Sequence, residues 1–319
     1  MDADAINALL YATIRLSTPL LLAAMGGLFS ERSGVINIAL EGKMLLGALI
    51  GFIVAFYTDN PWYGLLAAML AGAIAALLFA YVTITLGADQ IVTAVALNLM
   101  MVGLTGVVFR LLKAANSGSL SAPTFGAWDI PLLNQIPFFG NLFFSHLPLV
   151  YLAFLLVPLS HFILYRTTWG LAVRAVGEHP RAADTLGVKV QWVRYLCVIW
   201  SGVLAAVGGT VLSIGFNSTF IEGMTAGRGF VAFSAIVFGQ WTPLGTLLAS
   251  LLFGFADAFQ LRIQSGILAP FFDLLGIQEL PYQFPVMLPY VVTLIALFFT
   301  GKMQWPAAAA IPYKREETA

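Results

Sequence analysis

The chain has 319 residues, of which 60% are hydrophobic and 9% charged, with a formal net charge of zero. Soluble domains carry about 25% charged residues, so a water-soluble fold is excluded, and with no basic block nothing points to nucleic acid. The single Cys197 lies in an apolar run, which excludes an internal disulfide and fits a small buried hydrophobe.

A bilayer span needs about 20 apolar residues. Runs of that kind occur at 6–29, 34–57, 62–86, 90–112, 147–165, 194–215, 219–239, 243–262 and 284–301. The run at 219–239 is the weakest, because Glu222 and Arg228 shorten its apolar part. The runs are too long for barrel strands and lack their alternation. The expected fold is all-α, a polytopic transmembrane helical bundle of eight to ten spans, with residues 1–319 as one transmembrane domain. Asp2 and Asp4 precede the first run without a basic region, so no cleavable signal peptide is expected. Arg15, inside that run, receives no role. Gly34, Gly42, Gly47 and Gly51 are placed to interrupt a helix in the second run. Small residues at packing distance, such as Gly202 with Ala206, Ala68 with Gly72 and Gly245 with Ala249, predict close helix contacts. Residues 34–51 and 227–254 show a loose likeness that fits an internal structural repeat.

The stretch 113–146 is long and rich in proline and aromatics: Pro123, Trp128, Pro131, Pro137, Phe138 and Phe139. It reads either as a cover or docking loop on the outer mouth or as an interfacial loop with its rings at headgroup level. The stretch 263–283 carries the same two readings.

The polar island at 166–194 holds Arg166, Arg174, Arg181, Lys189 and Arg194, a third of the chain's 15 basic residues. Cytoplasmic loops hold the excess of Lys and Arg, so this loop is expected in the cytoplasm. Counting back places 30–33 inside and 113–146 outside, with Arg110 and Lys113 on the side the charge rule disfavours. Counting forward puts Lys302, Lys314 and Arg315 inside. Within the island, Pro180 suits a first helical position and Gly187 a left-handed C′ position. Ala182, Ala183 and Leu186 fall on one face. A helix of about two turns is predicted, fit to sit in a groove of another protein.

Three stretches carry a resemblance: RAVGEHPRAADTLGV at 174–188, GGLFSERSGVINIALEGKMLLGA at 26–48 and GRGFVAFSAIVFGQWTPLGTLLASLLFGF at 227–255. The first resembles the cytoplasmic coupling loop of ABC-importer permeases, in the family of ribose, branched-chain amino acid and nucleoside permeases. The other two resemble its nucleoside/simple-sugar branch. The likeness runs from about residue 10 to about residue 300. It implies a multi-pass subunit of the bacterial cytoplasmic (inner) membrane, with ten spans and both termini inside. The implied partners are ABC ATPase subunits, a second permease (identical or paralogous) and an extracytoplasmic solute-binding protein. It also implies that the helix at Pro180–Leu186, with Ala182 and Ala183, docks on the ATPase. Arg174, Glu178, Arg181 and Asp184 would then set register, and Gly177 and Gly187 the backbone shape.

Catalytic chemistry is not legible. Lys43 follows Gly42, but the P-loop's first glycine and its Ser/Thr are missing. ATP would therefore be used by a partner, and no cofactor is expected on this chain. His146, His161 and His179 match no metal spacing, and no Gly-x-Ser-x-Gly elbow occurs. The chain reads as a transport subunit, not an enzyme. Polar groups at membrane depth are costly and line cavities or pair with one another. Glu41 with Asn37 one helical turn earlier, Gln90 and Asn98 eight residues apart on one helix face, and Asn217, Glu222 and Arg228 at the outer end of the second half are candidates to line a path for a neutral, hydroxyl-rich solute. Each has a structural alternative: Asn37 and Asn98 as bonds between helices, and Arg228 as partner of Glu222. Glu31 and Arg32 could mark a membrane boundary, and Asp257 and Arg262 read as structural. The competing function is an ion-gradient-driven secondary transporter of a small polar solute, for which Glu41 is the one good carboxylate.

Overall fold

The computed structural model describes residues 3–116, 120–129, 142, 144–264, 287, 291–292, 294–295 and 305–313. The predicted span at 284–301 and the stretch at 263–283 lie mostly outside the described residues. Pro131, Pro137, Phe138, Phe139, Lys302, Lys314 and Arg315 lie wholly outside them.

Among the described residues ten helices have defined bounds, in order: α1 (Ala3–Arg32), α2 (Leu40–Thr58), α3 (Pro61–Ala80), α4 (Gln90–Ala115), α5 (Pro148–Arg166), α6 (Thr168–Glu178), α7 (Pro180–Thr185), α8 (Val190–Thr210), α9 (Arg228–Phe238) and α10 (Pro243–Gln264). One π-helical turn extends α3 over Tyr81–Thr85, and another extends α8 over Val211–Gly215. Seven of the helices (α1 to α5, α8 and α10) are long and apolar enough to cross a membrane. A short antiparallel pair, β1 (Trp128–Asp129) with β2 (Ser145–His146), closes the long loop.

One predicted span is corrected, and another is kept with a later start. The run at 219–239 yields only the 11-residue α9, about 16 Å long and too short to cross. The run at 34–57 becomes helical only at Leu40. Gly34 turns the chain at φ +87°, and neighbouring side chains hold 33–39 out of helical form, as described below.

Small residues set the packing, as expected. A Cβ on Gly72 would land on the Gly202 carbonyl oxygen, one on Gly47 on the Ala206 backbone, and one on Gly209 on the Met44 carbonyl oxygen. These contacts draw α2 and α3 against α8 at backbone distance, the geometry that gives membrane helices their dispersion contacts. Helix α1 packs on the other side of α8, where Gly26 meets Ser201 and Leu204. It also meets α10, where Gly254 abuts Ser17. The buried core runs through α1, α2 and α8, with Leu20, Leu21, Leu22, Phe52 and Val207 among its side chains. Leu66, Leu70 and Ile74 of α3, and Val95, Leu99 and Val102 of α4, are exposed. Such apolar faces suit hydrocarbon, and the chain is a multi-pass membrane protein.

Candidate functional site: two buried helix starts tied to the basic loop

The three sequence stretches that stand apart in the chain meet in space. Helix α6 ends against the junction of α1 and α2: a Cβ on Gly177 would land on the Arg32 carbonyl oxygen, 3.4 Å from the Gly34 nitrogen. This contact couples the basic loop directly to the non-helical run 33–39.

Side chains from three directions satisfy that run, as buried backbone requires. Ser30 Oγ donates to the Val35 carbonyl oxygen at 2.9 Å. The Ile36 N–H donates to Gln90 Oε1 at 2.8 Å. Arg194 Nε donates to the Ser33 carbonyl oxygen at 3.2 Å. Asn37 donates to Ser201 Oγ on α8 and accepts from Lys43 Nζ, each at 2.7 Å. Lys43 is fully buried, with its ammonium 4.6 Å from the centre of the Phe79 ring. Asn37 therefore lies in the loop before α2, not one turn earlier on the same helix as Glu41. Gln90 and Asn98 do share a face of α4, and both point at this junction.

Helix α2 starts without a cap of its own: Ala39 makes no side-chain bond there. Asn98 supplies it from α4. Its Oδ1 accepts from the Gly42 N–H at 2.8 Å, and its Nδ2 donates to the Ile38 carbonyl oxygen at 3.2 Å. Helix α9 repeats the device. Its N-cap, Gly227 at φ +84°, has no side chain to offer. Glu41, from the first turn of α2, fills the gap. One carboxylate oxygen accepts from Thr225 Oγ1 at 2.6 Å and the Gly227 N–H at 2.9 Å; the other accepts from the Gly229 N–H at 2.6 Å. A carboxylate suits the positive end of a helix. Nothing larger than glycine fits at 229, where a Cβ would collide with the Glu41 backbone.

The far end of α9 returns to α1. Trp241 Nε1 donates to Glu31 at 2.6 Å, and Arg32 Nε donates to the Trp241 carbonyl oxygen at 2.7 Å. Glu31 and Arg32 thus anchor the turn between α9 and α10, roles that no local pattern revealed. The segment 305–313 laces the same end: Ala308 N–H donates to the Gly177 carbonyl oxygen, Ala307 N–H to Glu178, and Arg194 Nη1 to the Ile311 carbonyl oxygen.

In the basic loop, α7 begins at Pro180 and stops at Gly187, φ +84°. Gly187 N–H bonds the Asp184 carbonyl and Val188 N–H the Ala183 carbonyl, the paired bonds of a Schellman stop. Its small apolar residues divide between two faces. Ala183 turns inward at 3% exposure, while Ala182 and Leu186 face out, Leu186 at 85%. Arg181 is also exposed, Asp184 is half-buried, and the Arg174 guanidinium lies 5.1 Å from the centre of the Tyr165 ring.

At the opposite end, Glu222 pairs with Arg110 at 2.8 Å and not with Arg228. Arg110, which the charge rule disfavours on its expected side, thus has an acidic partner. The guanidinium holds the Glu222 carboxyl below the usual carboxylate range. Asn217 and Arg228 line a cavity of about 470 Å³ beside α1. Asn217 Nδ2 donates to the Leu212 carbonyl oxygen.

The chain matches, over residues 9–299, the family described as branched-chain amino acid transport system, permease component. It is 40% identical to the guanosine ABC transporter permease protein NupQ of Bacillus subtilis, over 95% of each chain. It is 39% identical to the nucleoside ABC transporter permease protein NupC of Lactococcus lactis, over 93% of each. A putative glucose ABC transporter permease protein of Haloferax volcanii, TsgC13, is 37% identical over 97% of this chain and 98% of that one.

Proposed function

Starting from the premise that this chain belongs to that family of transport permeases, we propose that it carries nucleosides or simple sugars as the permease subunit of a bacterial ABC importer. The observation that carries this reading is the match, nearly end to end, to permeases named for guanosine, nucleosides and glucose. The subunit sits in the cytoplasmic membrane with the 166–194 loop inside. It pairs with a second permease and receives solute from an extracytoplasmic binding protein. ATP is hydrolysed by partner ATPase subunits, and this chain holds no cofactor.

Helix α7 is the docking peg. Its outward Arg181, Ala182 and Leu186 meet the ATPase, and Arg174, Glu178 and Asp184 fix its register. Pro180 and Gly187 set its length, and Ala183 seats it on the body. Motion of α7 reaches the junction at Arg32–Gly34 through Gly177. From there it reaches α2, and through Glu41 the start of α9. ATP must favour one permease state over the other for the cycle to turn. On this reading Asn37, Gln90 and Asn98 hold the moving junction beside the solute path. Glu41 links its two halves, and Asn217, Glu222 and Arg228 face the solute entering from outside.

The test is uptake in proteoliposomes containing the complete importer, with a panel of labelled nucleosides and sugars. Uptake that requires both ATP and the binding protein is expected. Uptake by this chain alone, driven by an imposed ion gradient, would overturn the reading. Gly187→Val strains the left-handed stop and Ala183→Asp places a carboxylate under α7. Both variants should insert normally yet lose uptake at least tenfold while ATP hydrolysis continues. Normal uptake in both would remove α7 from the coupling route.

A further inference from the structure

Gln240 and Trp241, in the turn between α9 and α10, are consecutive and both left-handed, at φ +50° and +52°. Residues with a Cβ disfavour that region, and a pair in sequence stays there only where the surroundings over-determine it. Three contacts converge on Trp241, which is fully buried. Its Nε1–H and its carbonyl oxygen are taken by Glu31 and Arg32 of α1. Its ring lies 4.7 Å, centre to centre, from that of Trp305. Trp305 is itself 42% exposed, so it braces Trp241 from outside rather than filling the core.

The strap that carries Trp305 is fastened at its other points to the coupling end. The Ala307 and Ala308 N–H groups donate to Glu178 Oε2 at 3.2 Å and to the Gly177 carbonyl oxygen at 2.9 Å, at the end of α6. The Ile311 carbonyl oxygen accepts from Arg194, which also donates to the Ser33 carbonyl oxygen. Pro306, buried between Trp305 and Ala307, has its φ fixed by its ring. Two residues of chain reach at most about 7 Å, so little slack separates the brace from its anchor. The strap also faces the start of α7 across a cavity of about 580 Å³, lined by His179, Pro180 and Ala182 on one side and Ala308 and Ile311 on the other.

We infer that Trp305 and Trp241 are positioning residues of a second coupling link, in which the 305–313 strap makes the α9–α10 turn follow α6 and α7. The inference rests on the importer reading and adds a route to it. The first route enters α9 at its start, through Glu41. The strap enters at its end. Helix α9 is thus gripped at both ends and follows α6 as a body. A Cβ on Gly239 would collide with the Thr246 backbone, so α10 is carried along. The left-handed pair makes the link depend on its brace. Once Trp305 is released, Gln240 and Trp241 relax and the turn no longer follows α6.

Two measurements on the complete importer test this. Trp305→Ala removes the brace and, at a part-exposed site, leaves no closed cavity. Amide hydrogen exchange in peptides spanning 239–242 should rise at least tenfold, while exchange across α8 stays as it was. Unchanged exchange at 239–242 would overturn the brace, and this readout needs no solute. In proteoliposomes the same variant should hydrolyse ATP within twofold of the unaltered importer, yet take up at least tenfold less solute. Trp305→Phe keeps a ring against Trp241 and should hold uptake within threefold. Normal uptake in Trp305→Ala, or a Phe variant as defective as the Ala one, would overturn the link. Uptake and hydrolysis lost together would overturn it too, since Trp305 would then only hold the fold. Absence of ATP-dependent uptake of any nucleoside or sugar by the unaltered importer would instead sink the importer reading, and the exchange result would still judge the brace.

Discussion

Helices α2 and α9 both start after a non-helical run with a glycine in the left-handed region, and neither caps itself. Each borrows its cap from another helix, but the caps differ. Asn98 gives α2 a neutral amide that accepts one N–H and donates to one carbonyl. Glu41 gives α9 a carboxylate that accepts three bonds. The difference follows what surrounds each start. The α2 start already contains Glu41, so a second carboxylate there would repel it. The α9 start contains Arg228, and a carboxylate balances it. The two caps are also in series, because the residue that caps α9 stands on the helix that Asn98 caps. A shift of α2 must therefore carry α9 with it, or break charge-assisted bonds.

Replacing the second cap should have the largest effect. Glu41→Ala strands three donors at once, at about 1.5 kcal/mol or more each toward a charged acceptor. A loss of roughly 3–5 kcal/mol, with collapse of both assembly and uptake, is expected in detergent unfolding assays. Gly229→Ala should match it, because its Cβ meets the Glu41 backbone. A well-folded Gly229→Ala importer would show that the two segments are not in tight register. Glu41→Gln comes next. It keeps shape but removes charge, so the complex should assemble while uptake falls several-fold; unchanged transport kinetics would detach Glu41 from the moving route. Asn98→Ala should cost about 1–2 kcal/mol, measured the same way, and a cost equal to that of Glu41→Ala would erase the distinction between the caps. The smallest effect belongs to Arg110→Ala. The Arg110–Glu222 pair is solvent-exposed, and such pairs are screened. Thermal stability at neutral pH should not move measurably. Because Glu222 is held below its ordinary value, any contribution is present at neutral pH. It is lost only in acid, as the pH falls through that lowered value.

The helical class and most span positions were legible because apolar length is a local property. Six runs, at 6–29, 62–86, 90–112, 147–165, 194–215 and 243–262, became helices within a few residues of their predicted bounds. The Gly187 stop was legible for the same reason, since a left-handed residue closes a helix with its own backbone. The shared face of Gln90 and Asn98 followed from helical spacing.

Other features depended on partners far away in the chain. Glu222 pairs with Arg110, 112 residues distant, rather than with nearby Arg228. Residues 33–39 form no helix because bonds with Gln90, Arg194 and Ser201 hold them. Ala183 turned inward and Leu186 outward because the body of the protein, absent from a helical wheel, chose the face. Composition and periodicity by themselves determined that this chain is a bundle of membrane helices, because every apolar run must bury or face lipid wherever it sits. Only the tertiary structure decided where α2 and α9 start and which charges meet. In an apolar medium a backbone N–H or a guanidinium must find a partner, and that partner can come from any helix that packs beside it.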